Sequence, residues 1–367
     1  MRKIFDDFID RYFHDEEAVI FTVILIFMVL ILATIGSILS PLIAAVITAY
    51  FLQGLVNSLQ RFKMAHLSAV MVVYILFISL FISTLFFLLP QAWSQFGRFI
   101  NELPRLISEA QILLQHLPEK YPNLISDQQV RDFISSIRGE LTTFGQYVLT
   151  YSISSIPSIF SWIIFLILVP VLVFFMLKDK VALVQWINSL LPRNRPLMSQ
   201  ILREMDMQLA NYIRGKVLEI FIVGAVSYIC FMVLGINYAL LLSVLTGLSV
   251  VIPFIGVAVV GIPVAAVAYV QWGMSQGFYM AMLVYTIIQL LDANVLVPVI
   301  FSETVNLHPV AIVAAVLFFG GIWGLAGVFF AIPLATFIKA IINAWPSANH
   351  VRLDARKNRE NKAIESK

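Results

Sequence analysis

The chain carries little charge and almost no cysteine. Of its 367 residues, 12% are charged and 60% are hydrophobic, whereas a soluble domain usually carries about twice that charged fraction. A chain this apolar cannot cover its surface with polar groups, and part of its solvent must be lipid. Cys230 is the single cysteine, which excludes an intrachain disulfide and argues against a redox or metal role.

The sequence also lacks the motifs of catalysis and of nucleotide binding. It contains no Walker loop, no GxSxG, no HExxH and no Cys/His cluster. Its net charge of +3 is small, and its basic residues are not interleaved with aromatic ones as in nucleic-acid-binding proteins. We therefore expect no enzyme activity, cofactor, bound metal or nucleic-acid partner, and any active transport should be driven by an ion gradient.

The placement of the remaining charge divides the chain. Residues 217–345 contain four ionised side chains in 129 residues, and most other charges fall in four clusters. The apolar blocks between the clusters predict an all-α polytopic membrane bundle of about eight spans. The blocks are 18–35, 38–56, 67–90, 155–177, 217–235, 238–270, 278–300 and 309–342.

Charge asymmetry predicts the orientation in the membrane. Residues 178–216 have seven Lys or Arg against three acids, and residues 346–367 have six against three. Residues 91–140 have five against six. Because cytoplasmic segments are enriched in Lys and Arg, the first two segments and both termini are predicted to be cytoplasmic, and 91–150 external.

These observations predict an order of segments along the chain. The helices in 91–150 have apolar stripes, which favour burial against each other or the membrane surface, with an oligomer contact or a gate as the alternative. The helices in 178–216 are predicted to be an interfacial pair whose basic residues suit anionic headgroups, with movement during transport as the alternative. The segments are an interfacial helix (1–17), three spans (18–90), an external helical insertion (91–150), a span (151–177), cytoplasmic amphipathic helices (178–216), a transport-like core (217–345) and a basic tail (346–367).

Two apolar blocks, 238–270 and 309–342, are too long for one span, which needs about 20 residues. The first is interrupted by Pro253 and Gly256, and the second by Gly320 and Gly321. Each block is predicted to be either a kinked span, stabilised by its neighbours, or a re-entrant helical hairpin. Paired broken helices are a pointer to binding sites in transporters.

Asp292 is the strongest candidate for a functional side chain. Burying a carboxylate in the middle of a span costs at least ~2.5 kcal/mol, so such residues usually serve a function. Gln289 lies one helical turn earlier on the same face, whereas Asn294 lies on another face unless Pro298 unwinds the helix. Asp292 is interpreted as a proton carrier, a cation ligand or a buried structural hydrogen-bonding group.

Glu219 is a second acid within an apolar block. It follows the stretch Arg214, Gly215 and Lys216, and Lys216 lies one turn before it. A Lys–Glu pair at the membrane interface and a role in transport are both compatible with this spacing.

Several stretches together resemble the autoinducer-2 exporter family of bacterial membrane proteins, and most closely its PerM-type members. The resemblance covers essentially the whole chain and is densest from 169 to 340. The stretches are Val169–Lys180, Leu191–Arg195, Asn211–Lys216, Ile252–Gly256, Gln289–Pro298, Asn306–Pro309 and the glycines up to Ala331–Pro333.

This resemblance implies a multi-pass protein of the bacterial inner membrane that assembles as a homo-oligomer. Some members are linked to export of the quorum signal autoinducer-2, and others look like sodium/proton antiporters. The expected function is therefore a secondary transporter that exports a small signalling molecule or exchanges a cation for protons. The expected partners are the lipid bilayer and a small solute of unknown identity, with coupling to protons or sodium. The alternatives are a non-transporting membrane scaffold that acts through its external helices, and a passive channel.

Overall fold

A computed structural model describes residues 16–36, 38–115, 156–192, 195–253, 255–301 and 307–344, with a few isolated residues between 128 and 139. The regular structure in these ranges is entirely helical. Residues 1–15 of the predicted interfacial helix, most of the insertion beyond residue 115, and the basic tail lie outside the described residues.

Twelve α-helices run through the described ranges, and two short π-helical segments interrupt them. The helices are α1 Glu16–Ile35, α2 Ser40–Arg61, α3 His66–Ser83, α4 Leu89–Gln115, α5 Ile156–Lys178, α6 Lys180–Leu190, α7 Pro196–Leu234, α8 Ala239–Ser249, α9 Ile255–Trp272, α10 Gln276–Leu291, α11 Val297–Phe301 and α12 Pro309–Ala344. The π-helical segments are Thr84–Leu88 and Asp292–Leu296.

Six helical segments within the described part of the chain are long and apolar enough to cross a membrane, and a bent pair, α5 with α6, would make seven. Three further apolar helices are shorter: Val19–Ile31, Ala239–Ser249 and Pro309–Gly324. The prediction of an all-α polytopic membrane protein is confirmed.

The described residues form two compact units, the first drawn from 1–73, 169–217 and 301–367, the second from 74–168 and 218–300.

Both π-helical segments belong to the second unit and stand at the same distance before a proline. The Leu89 N–H bonds to the Thr84 carbonyl before Pro90, and the Val297 N–H bonds to the Asp292 carbonyl before Pro298. A proline inside a helix lacks the N–H donor, and its ring crowds the carbonyl four residues earlier. The wider π turn absorbs this conflict, so each helix continues beyond its proline.

In the second unit, α8 and α9 form a helical hairpin, which we call hairpin one. The Asn237 N–H donates to Gln271 Oε1 and Gln271 Nε2 donates to the Gly235 carbonyl, both at 2.7 Å. Residues 36 positions apart are thus joined, and Leu242 of α8 shares a buried cluster with Val264 of α9. The block 238–270 therefore reverses direction. With 11 residues, α8 is about 16 Å long, roughly half the apolar thickness of a bilayer.

The first turns of α4 hold the open end of hairpin one. Gln95 Oε1 accepts the Leu241 N–H at 2.9 Å, which satisfies an N-terminal donor of α8. The Phe99 ring packs edge-on against Tyr238. The Tyr238 hydroxyl also forms a hydrogen bond with Glu102, another residue of α4. Part of the predicted external insertion is thus anchored on hairpin one.

In the first unit, α12 folds into a second hairpin, hairpin two. Its backbone turns at Gly324, with φ 60° and ψ −138°. Phe319 and Ala331 belong to one buried cluster, although a straight helix would separate them by about 18 Å. Gly320 and Gly321, the predicted break, precede the turn and remain helical. The reversal falls at Gly324 because only glycine adopts these angles without strain.

The first unit also fixes the N-terminal end of α7. The Glu17 carboxylate accepts the Leu197 N–H at 3.2 Å and the Met198 N–H at 2.7 Å. A carboxylate at a helix N-terminus satisfies free donors and interacts favourably with the helix dipole. Phe21, one turn after Glu17, packs with the buried Met198 and Ile201. Two hydrogen bonds from Glu17 and an apolar cluster thus join α1 to α7.

Candidate functional site

Three polar side chains of the second unit are buried in its apolar interior. Glu219 on α7 is 2% exposed, Gln289 on α10 is 7% exposed, and Asp292 is 9% exposed. Gln289 and Asp292 lie three residues apart and so share a helix face. We call these three residues the buried polar set.

One apolar cluster brings the helices of this set together at the turn of hairpin one. Its buried members are Val223 of α7, Val250 at the end of α8, and Ile288 of α10. Ile220, which follows Glu219, and Leu296, in the π-helical segment that begins at Asp292, pack against them. Each of the three polar residues therefore lies within four positions of a residue that belongs to this apolar cluster or packs against it.

Small residues let α7 and α8 approach closely in this region. A Cβ atom on Gly247 would lie 2.8 Å from the Ile220 carbonyl oxygen and 3.0 Å from Gly224 Cα. Glycine at position 247 is thus a steric requirement, since backbone atoms cannot give way. A Cβ atom on Gly224 would lie 3.7 Å from Gly247 Cα, which is an ordinary contact. Ser227 and Ser243, one turn further along the two helices, are also buried.

The turn of hairpin one is tied to α10 by a hydrogen bond. The Tyr285 hydroxyl donates to the Val257 carbonyl at 2.6 Å. Within the turn, a Cβ atom on Gly256 would collide with the Ser249 carbonyl oxygen, and Pro253 is half-buried at the apex. The predicted break residues Pro253 and Gly256 therefore form a tight reversal, and Tyr285 holds it beside the helix that carries Gln289.

Asp292 is the first residue of a π-helical segment. Such segments occur frequently at functional sites, because the extra residue in the turn changes the direction of the side chains that follow. Asn294 is exposed and donates to the Leu290 carbonyl at 2.8 Å, and Pro298 is exposed as well. Neither residue belongs to the buried polar set.

Gln289 carries the clearest sign of incomplete hydrogen bonding. Within the described residues, neither its amide nitrogen nor its amide oxygen has a hydrogen bond of normal geometry, and both atoms are buried, although the Tyr285 hydroxyl lies near enough to interact with the amide. A buried polar group left unsatisfied costs about 1–3 kcal/mol, so natural proteins seldom keep one without a purpose. A polar ligand or a water at this position would restore the hydrogen bonds.

The predicted stretch Arg214, Gly215 and Lys216 belongs to the first unit. Lys216 is buried, with Nζ 5.6 Å from the centre of the Phe301 ring, a cation–π distance. Arg214 packs against Gly54, where a Cβ atom would lie 2.9 Å from Arg214 Cδ. The stretch is thus part of the packing of the first unit.

Sequence reasoning overlooked Tyr285, which precedes Gln289 by one turn, and Ser227, a buried hydroxyl on α7. The helical spacing of Tyr285 from Gln289 could have indicated the former. Ser227 carries no pattern that separates it from other serines in apolar helices.

In the part of the chain that the structure describes, no three His, Cys, Asp or Glu side chains are grouped to hold a metal ion. Glu303 lies outside the described residues.

The chain is similar to a family of transport proteins over nearly its full length. The family model "AI-2E family transporter" matches residues 20–347. "Putative permease PerM" of Escherichia coli (strain K12) is 42% identical over 336 residues, which is 92% of this chain and 95% of the relative. "Putative transport protein YueF" of Bacillus subtilis (strain 168) is 27% identical over 311 residues, 83% of this chain and 84% of the relative.

A further relative carries a substrate in its name. "AI-2 transport protein TqsA" of Escherichia coli (strain K12) is 25% identical over 310 residues, which is 83% of this chain and 85% of the relative. These relatives and the apolar helices agree on a membrane permease that moves a small solute. The chain belongs to the AI-2E transporter family.

Proposed function

We propose that this chain is a secondary transporter of the bacterial inner membrane, and that its solute or coupling ion passes the buried polar set beside the turn of hairpin one. The observation that carries the proposal is the burial of Glu219, Gln289 and Asp292 around a helical reversal. Ionisable residues at membrane depth are costly, and they usually mark the path of an ion or a substrate.

The form of hairpin one supports this location. Backbone that leaves helical geometry at membrane depth is tolerated only where protein or water surrounds it. Transporters commonly place their sites at such helix breaks, where free backbone groups and helix dipoles bind charged ligands. The turn at Pro253 and Gly256 satisfies this condition, since it packs beside Ile288 and Tyr285.

The polar set suits more than one ligand. The Glu219 and Asp292 carboxyl groups could bind a cation or carry a proton, and the Gln289 amide could bond to a neutral polar solute. The name of the relative TqsA makes autoinducer-2 one candidate solute. Sodium and protons are the candidate coupling ions.

The proposed orientation follows the charge asymmetry. Both termini face the cytoplasm, as the basic segments 178–216 and 346–367 favour. The open end of hairpin one, which α4 holds, then faces the exterior, and its turn points into the membrane. Assembly as a homo-oligomer is part of the proposal, by analogy with the family.

Flux measurements in proteoliposomes test the proposal. The wild-type protein is compared with Asp292→Asn under imposed proton and sodium gradients, with proton release and a labelled autoinducer-2 analogue as readouts. We expect gradient-dependent flux in the wild type and its loss in Asp292→Asn, because the amide cannot exchange a proton. Asn294→Ala is the matched control, since Asn294 is exposed on the same helix. Full flux in Asp292→Asn would remove this residue from the mechanism.

The same experiment separates transport from scaffolding. If the wild-type protein moves neither protons nor the autoinducer-2 analogue under any imposed gradient, the transporter proposal fails for both. Deletion of residues 98–144 followed by copurification of partner proteins would then test the scaffold, which acts through its external helices. Solute flux that saturates with concentration and depends on the imposed proton or sodium gradient would exclude a passive channel.

A further inference from the structure

Helix α6 stands almost at right angles to the apolar helix before it. Residues Trp162–Lys178 of α5 and residues Lys180–Leu190 of α6 meet at Asp179 with a bend of 85°. One face of α5 is buried through Val169, Val173 and Leu177, and large apolar side chains elsewhere on it, such as Ile167, are exposed, as expected for a helix among lipids. If α5 crosses the bilayer, α6 therefore runs along its surface.

Every residue of α6 is exposed in the chain, yet its apolar side chains are not scattered. At 100° per residue, its polar side chains Gln185, Asn188 and Ser189 share one side of the helix. Except for Val181, which lies on the polar side, the large apolar side chains occupy an arc of about 160° on the other side. They are Leu183, Val184, Trp186, Ile187 and Leu190. An exposed apolar face of this width needs an apolar partner.

The charges around α6 indicate which partner covers it. Residues 178–195 contain four basic side chains and one acid. Lys180 stands at the N-terminus of α6, where the helix dipole disfavours a cation, so helix stability does not explain it. At the other end, Arg195 Nη2 donates to Asn188 Oδ1 at 2.8 Å and Nη1 to the Asn188 carbonyl at 3.2 Å. Positive charge is thus present at both ends of the apolar face.

We propose that α6 lies in the boundary between headgroups and acyl chains of the bilayer, with its apolar face on the acyl chains and its flanking bases on anionic phospholipid headgroups. The bend places the helix in the membrane plane, and its amphipathic form is that of interfacial helices. Lysine side chains near an apolar face extend their ammonium groups to the headgroup level. A second copy of the chain is the less suitable partner, because it would bring the same excess of positive charge.

Spin labels on the two faces of α6 test this placement in the full-length protein. In a Cys230→Ser background, Ile187→Cys labels the apolar face and Gln185→Cys, about 200° away, labels the polar face. The proteins are reconstituted into phosphatidylcholine bilayers with and without phosphatidylglycerol. We expect oxygen to relax the label at 187 more than a water-soluble nickel chelate does, and the reverse at 185.

Two outcomes would overturn the placement. Equal access of the nickel chelate to both labels would mean that α6 stands in water. Protection of the label at 187 from both reagents, with dipolar broadening between labels, would assign the face to a second copy of the chain. Neither outcome depends on transport activity, so the result is separate from the flux experiment.

The headgroup contact has its own test. With the label at 187, phosphatidylglycerol should increase the ratio of oxygen to nickel access, and the double substitution Lys178→Gln with Lys180→Gln should abolish this increase. Arg203→Gln, an exposed base on α7, is the matched control and should retain the increase. A lipid effect of the same size in the double variant would refute the headgroup contact.

Discussion

Tyr212→Phe should loosen hairpin two by removing one hydrogen bond. Pro333, inside the second half of α12, has no N–H to donate to the carbonyl of Phe329 four residues earlier. The Tyr212 hydroxyl donates to this carbonyl at 2.7 Å. The side chain of α7 thus supplies the donor that the proline removes.

The structure sets the size of the effect. Tyr212 is 3% exposed, so water cannot easily replace its hydroxyl. Its ring packs against Phe301 and Phe329, with centroid distances of 6.1 and 5.8 Å, and phenylalanine preserves these contacts. The substitution therefore removes little besides the hydrogen bond. A buried acceptor that loses its donor costs about 1–3 kcal/mol.

Hydrogen exchange is the appropriate assay, because a chain of two units has no single free energy of unfolding. A loss of 1–3 kcal/mol corresponds to about 5- to 150-fold faster exchange of the amides in the second half of α12. Exchange in hairpin one should stay unchanged. We expect this pattern for the protein in lipid nanodiscs.

A double-mutant cycle with Pro333→Ala isolates the cause. Alanine restores an N–H that can bond to the Phe329 carbonyl, so Tyr212→Phe should cost much less in this background. Equal costs in the two backgrounds would refute the reasoning, since the hydroxyl would then not be replacing the missing helix donor.

Two further predictions concern the hairpins. Gly324→Ala should destabilise hairpin two by about 1–3 kcal/mol, because alanine at φ 60° and ψ −138° is strained. The midpoint of thermal aggregation in detergent should fall, while Gly321→Ala, at a helical position with open space around a Cβ, should leave it unchanged; equal midpoints would contradict the prediction. Gln271→Ala should remove both hydrogen bonds that close hairpin one, and should speed amide exchange near Asn237 at least about fivefold. Gln276→Ala, an exposed glutamine nearby, is its control, and unchanged exchange in Gln271→Ala would show that packing alone closes the hairpin.

The membrane class and the helical architecture could be predicted because both follow from local composition. In lipid, every backbone N–H and C=O must be bonded within the protein, so long apolar runs become helices. The burial of Asp292 and Gln289 on one face also follows from a spacing of three residues. These inferences depend only on residues that lie close together in the sequence.

The two long apolar blocks show where such inference ends. Pro253 and Gly256 are compatible with a kink as well as with a reversal, since both residues relax helical geometry. The choice depends on Gln271, whose amide bonds to residues 34 and 36 positions earlier. In the other block, any of several glycines could have formed the turn, and the packing of Phe319 on Ala331 requires it at Gly324.

Hydrophobicity and helical period act over one or two turns, so they are enough to predict a helical membrane protein and the acids in its apolar segments. Three features emerge only from the folded chain: both broken blocks are hairpins, Tyr285 and Ile288 bring the turn of hairpin one beside Gln289, and Tyr212 replaces a helix donor. Those features depend on contacts between residues far apart in the chain. Their free energy comes from close packing and buried hydrogen bonds, which no local pattern encodes.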